Sequence, residues 1–135
     1  PVPVPVVATY EFCDGRLCAV ALDATRTRDE AQLTREFEQL VGLVRAASGD
    51  PGAETRHIGA GCTGHLPLCL TSKQAEINAR WVWRDGPQVS ASVDQTEDDA
   101  LLAQVAVTWM SAERARRQDP DAPSAPTDGG APDAR

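Results

Sequence analysis

The chain is poor in aromatic residues and nearly free of lysine. Three Trp, two Phe and one Tyr make up 4% of its 135 residues, and Lys73 is the only lysine among thirteen basic side chains. An arginine bias of this kind is what a GC-rich bacterial or phage genome would produce. Positive charge is in deficit overall, with a net charge of −7 and a pI of about 4.7. Sequence-independent binding to DNA or RNA needs a field of Lys and Arg, so no nucleic-acid partner is expected, nor docking on an anionic membrane. No apolar run approaches the ~18 residues of a membrane span. No secretory leader is expected within these residues, and a first residue of Pro1 in place of Met suits a chain processed from a longer one.

A catalytic signature is missing as well. Gly59-Ala-Gly61-Cys-Thr-Gly64 has the form G-x-G-x-x-G. A dinucleotide site needs a helix opening inside that motif and a βαβ unit around it, whereas here Pro67 follows at once. Cys62 and His65 are close enough in sequence to act as nucleophile and base, but no oxyanion donor or orienting acid accompanies them. The chain is therefore read as a non-enzyme without a cofactor.

What the sequence does hold is four cysteines in two close pairs, Cys13/Cys18 and Cys62/Cys69. Two short disulfides would place the protein in an oxidising compartment, periplasmic or secreted. A shared zinc site, with His57 or His65 as a further ligand, would place it in a reducing one. Free buried thiols would act as small hydrophobes. A four-residue loop over 14–17 would set Cys13 and Cys18 directly opposite, at ~4.5–5.5 Å between Cβ atoms and close to bridging distance. A turn centred on Asp14-Gly15 leaves the two cysteines as diagonal neighbours, ~7–8 Å apart.

Apolar periodicity predicts one α+β domain over residues 6–117. Val6 to Leu22 read as a β-hairpin turning at Asp14-Gly15. Both of its faces carry apolar side chains, which implies a central hairpin covered on both sides or strands shielded by a partner. Thr27-Arg-Asp-Glu30 has the form of a capping box opening a helix over 28–47, with Leu33, Phe37, Leu40, Val41 and Val44 on one stripe. A short strand over 54–58 and an irregular Gly-rich loop follow. A second hairpin, with its turn at Asp85-Gly86-Pro87, sets Ile77, Ala79, Trp81 and Trp83 beside Val89, Ala91 and Val93 on one apolar face. Thr96 with Asp99 predicts a second long helix to Arg117, its stripe formed by Leu101, Leu102, Val105, Trp109 and Ala112. The expected architecture is an antiparallel sheet of four to five strands with two amphipathic helices on one face, in the order ββα(β)ββα.

Two segments flank this domain. Pro1-Val-Pro-Val-Pro5 suits an extended linker, such as a stalk after a cleaved signal or lipid anchor. Residues 118–135, rich in Asp, Pro, Ala and Gly, lack the apolar surface needed to offset ordering entropy. Function then reduces to two expectations. One is an extracytoplasmic protein-binding domain (an envelope accessory factor, adaptor, immunity protein or inhibitor) stabilised by two disulfides. The other is an intracellular zinc-stabilised interaction module built on the same four cysteines. Candidate contact residues are Trp81 and Trp83, which form either a core cluster with Trp109 or an exposed aromatic platform, and Leu66 and Leu68 in the Cys62–Cys69 loop, which is either structural or preorganised by a disulfide for binding.

Overall fold

The computed structural model describes residues 3–118. The chain forms β1 (Val6–Cys13), β2 (Arg16–Ala24), α1 (Glu30–Ser48), β3 (Ala53–Ile58), a 3₁₀ turn at Ala60–Cys62, and α2 (Leu66–Thr71). It continues through β4 (Ala75–Val82), β5 (Gln88–Gln95), β6 (Ala103–Met110) and α3 (Ala112–Gln118). All six strands join one antiparallel sheet in the order β1-β2-β6-β5-β4-β3. The fold is therefore α+β, with six strands and three helices among the described residues against the four to five strands and two helices expected.

The long helix predicted from Thr96 to Arg117 is replaced by a loop, a strand and a short helix. Leu102, Val105 and Trp109 fit helical spacing, but Ala103, Val105, Val107 and Trp109 fit a period of two equally well. β6 fills the place between β2 and β5, so both its edges find ladder partners, and β-branched Val105 and Val107 pack well on a pleated surface. Thr96 and Asp99 close a turn instead of capping a helix. The Thr96 hydroxyl donates to the Asp99 carbonyl at 2.6 Å, and the Asp99 carboxylate accepts from the Leu101 amide at 2.9 Å.

α1 starts two residues later than expected because Asp29, not Thr27, is its cap. The Asp29 carboxylate accepts from the amides of Ala31 and Gln32, satisfying donors that have no partner within the helix. Thr27 supports it by accepting from the Asp29 amide at 3.1 Å. α1 packs on β5 and β6, and α2 on β4 and β5. Together they bury one core with Leu33, Phe37, Leu40 and Val41 from α1, Leu66 and Cys69 from α2, and the inward residues of β4, β5 and β6. Val4, within the expected linker, is buried in this core. The expected tail falls outside the described residues from 119 onward, and Gln118 closes α3.

Candidate functional site

Each cysteine pair closes a disulfide, Cys13–Cys18 and Cys62–Cys69, with Cα separations of 5.8 and 6.0 Å. The first forms across the two-residue turn, which was expected to allow it only with local distortion. Asp14 and Gly15, at φ of 52° and 79°, make a two-residue turn of the kind that matches strand twist, and Cys13 pairs with Arg16. The register then slips: Phe12 faces Leu17 while Glu11 faces Ala19. Cys18 is the extra residue of a β-bulge, and the local bend brings it back to Cys13. The second disulfide ties the 3₁₀ turn to α2. A four-cysteine zinc site is not formed. Among the described residues, the side chains placed to share a metal are Glu11, Cys13 and Cys18. That group excludes Cys62 and Cys69, and its two sulfurs are bonded to each other.

The four candidate contact residues divide. Trp81 is fully buried and Leu66 nearly so, so both serve the core instead of facing a partner. Trp83 is half-buried against the same core. Leu68 remains exposed on α2, beside a shallow cleft lined by Arg28, Gly64, His65, Pro67 and Leu101. The Cys62–Cys69 segment is partly helical with Leu66, Pro67 and Cys69 buried, so it is not an extended recognition loop.

The larger exposed apolar surface lies on the first hairpin. Val7, Tyr10 and Phe12 are 69%, 60% and 64% exposed, and Leu17 joins them. Directly opposed residues in an antiparallel sheet share a face, which defines a row running across five strands: Trp81–Val89–Trp109–Val20–Tyr10. Trp81 lies under α1 with no exposure, while Tyr10 at the other end stands open. The helical layer thus covers β4, β5 and β6 and stops short of the outer part of β1 and β2. The hairpin was expected to be central or shielded. It is peripheral, and β1 is an edge strand whose outer side has no neighbour among the described residues.

The two edges of the sheet differ in chemistry. β3 carries Glu54, Arg56 and His57, and its ion pairs tie it to α1. Arg56 bonds Glu54 at 2.8 Å and also Glu38, Arg45 reaches Glu54 at 3.3 Å, and the Arg56 guanidinium stacks 5.2 Å from the Phe37 ring centroid. The hydrogen bond from Arg56 holds the Glu38 carboxyl below its ordinary pKa, and Glu38 in turn raises Arg56. Charges along an edge discourage further pairing. β1 has one charged residue, Glu11, already bound by Arg114 of α3 at 2.8 Å. Arg117 of the same helix lies 3.5 Å from Asp14 in the turn. The remaining lowered carboxyl, Asp98, owes its shift to a hydrogen bond from Arg26 on the surface.

No protein-family model, curated protein or solved structure matches this chain.

Sequence reading placed Val7, Tyr10, Phe12 and Leu17 in the first hairpin but did not single them out as contact residues. The signal that could have found them was the hairpin with apolar residues on both faces. Which of its two explanations holds depends on strand order, and that required β6 to be placed.

Proposed function

We propose that this is an extracytoplasmic, disulfide-stabilised protein-binding domain of bacterial origin that receives its partner along the outer edge of β1. The observation that carries the reading is an eight-residue edge strand with large apolar side chains exposed on both faces. Monomers rarely leave such an edge open, because its unpaired amides and carbonyls template a further strand. Addition of a strand supplies main-chain hydrogen bonds for affinity, and alternate side chains supply specificity. The bulge, the Cys13–Cys18 bond and the two arginines of α3 brace this hairpin, which lowers the ordering entropy of binding. Two disulfides in a chain with a core of its own favour the periplasm or the exterior.

The test is site-specific photocrosslinking in the cells that produce the protein. A photoreactive residue at position 10 or 12 should yield a covalent adduct with the partner, and one at Leu101 should not. Adducts from Leu101 or Leu68, with none from β1, would reject the reading.

A further inference from the structure

We infer that the strand received by β1 is β1 of a second copy, paired antiparallel about Thr9, so that two sheets join into one of twelve strands. This rests on the reading of β1 as the binding edge and adds the partner's identity.

The sequence of β1 is complementary to itself in this register. Directly opposed residues share a face. With Thr9 on its own image, Tyr10 meets Ala8 of the other copy and Phe12 meets Val6. Each large ring therefore faces a small side chain. Centring on Tyr10 would stack the two Tyr10 rings on each other and push Val6 onto charged Asp14. Centring on Glu11 would oppose two like charges, which destabilises a ladder. Centring on Thr9 sets Glu11 against Val7, and Glu11 is already neutralised by Arg114.

Backbone polarity agrees. A two-residue turn makes its flanking residues, Cys13 and Arg16, a hydrogen-bonded pair, and bonding alternates along an antiparallel ladder. β1 is the regular strand beside the bulge. Its amides at Phe12, Tyr10, Ala8 and Val6 therefore point outward, where the pairs Tyr10–Ala8 and Phe12–Val6 need them. Thr9 then forms a non-hydrogen-bonded pair with its image, the closer kind.

Pairing also extends an apolar surface already present. The row ending at Val20 and Tyr10 would continue through Ala8 and Leu22 of the other copy, which are themselves neighbours. Aromatic side chains bury ~150–250 Å² each. With more than half of Tyr10 and Phe12 exposed on each copy, the joined strands hide on the order of 1,000 Å² in total, the lower limit for a specific interface. A reversible dimer, on the order of micromolar in affinity, is expected. Each chain carries −7 while the interface itself holds almost no charge. Salt should therefore strengthen the dimer by screening long-range repulsion.

The experiment is sedimentation equilibrium of the purified full chain across the micromolar range at low and moderate salt. It is paired with Tyr10→Lys, with His57→Lys on β3 as control, and with Thr9→Cys under mild oxidation. Far-ultraviolet circular dichroism would check that each variant keeps its fold. The proposal expects a monomer–dimer equilibrium that salt favours, and a dissociation constant at least tenfold weaker in Tyr10→Lys and unchanged in His57→Lys. A Thr9→Cys dimer should be linked through residue 9 in both chains by peptide mapping. A wild-type monomer at every concentration with no residue-9 linkage would overturn the proposal, as would a dimer that Tyr10→Lys leaves intact. Photoadducts at positions 10 and 12 whose mass differs from a doubled chain would retire the second copy as partner while sustaining the proposed function. Absence of any adduct there would remove both.

Discussion

The indole N–H of Trp81 donates to the carbonyl of Gly49 at 2.9 Å. Trp81 is the largest side chain with no exposure, and Gly49 is the C-cap of α1, at φ 81°. One contact thus joins the end of β4 to the end of the helix above it. Trp81→Phe removes that donor from the Gly49 carbonyl and opens a small void beneath α1, and should cost ~1–2 kcal/mol. Trp81→Ala should cost ~3–5 kcal/mol. Urea unfolding would measure both. A cost below half a kcal/mol for Trp81→Ala would mean that Trp81 does not sit in the core.

The two disulfides should separate in effect. Replacing Cys62 and Cys69 together with Ala removes a constraint worth about 2–3 kcal/mol on the chain-entropy estimate, and it loosens packing at two buried positions. The same change at Cys13 and Cys18 removes a similar constraint but acts at the periphery, where faster amide exchange along β1 is the readout. Intact mass of the native protein, before and after reduction and alkylation, should show all four thiols bonded. Free thiols without reductant would contradict the structure and weaken the extracytoplasmic assignment.

Stability should fall on acidification, partly through Glu38. Its pKa is lowered in the folded state by the Arg56 hydrogen bond. The pair therefore contributes fully above the ordinary carboxylate range, and the contribution is lost as pH falls through the lowered value. Both side chains are more than a third exposed, so solvent screening limits the effect to below about 1 kcal/mol. Arg56→Gln should reduce stability slightly at neutral pH and flatten the acid limb of the stability curve. An unchanged acid limb would show that the pair contributes nothing in solution.

Gly86 cannot easily be replaced. Its φ is 109°, and an added Cβ would come 2.6 Å from the Cβ of Ala112, the first residue of α3. Gly86→Ala combines backbone strain with a steric clash and should cost ~1–3 kcal/mol. α3 supplies the Arg114 and Arg117 that brace the hairpin, so exchange at Cys13 to Arg16 should rise in parallel. A fully stable Gly86→Ala would mean that α3 is not seated as described.

Much of the fold was legible in the sequence because its signals were local. Asp14-Gly15 and Asp85-Gly86 marked the turns of two hairpins, and the Leu33-to-Val44 stripe marked α1. β6 was not legible. Its apolar residues satisfy a helical and a strand period together, and only the vacancy between β2 and β5 decides between them. The cysteine pairing was visible in the spacing, yet its closure depends on the Cys18 bulge, a one-residue slip that no local pattern announces. Trp81 and Leu66 were offered as contact residues beside a core reading, and the core reading is the one the structure bears out. Apolar periodicity shows which residues share a face and says nothing of how far a helix extends over it. The open edge was half visible: a hairpin apolar on both sides needs cover, and strand order showed that, among the described residues, no strand pairs with the outer side of β1.

The claim that β1 is built to accept a strand is tested most directly by amide hydrogen exchange, comparing the isolated monomer with the crosslinked or self-associated complex. The account expects residues 6–12 to gain protection on complex formation while Ala53–Ile58, at the charged edge, exchange as before. Protection at β3 or around Leu68 and Leu101, with residues 6–12 unchanged, would contradict it.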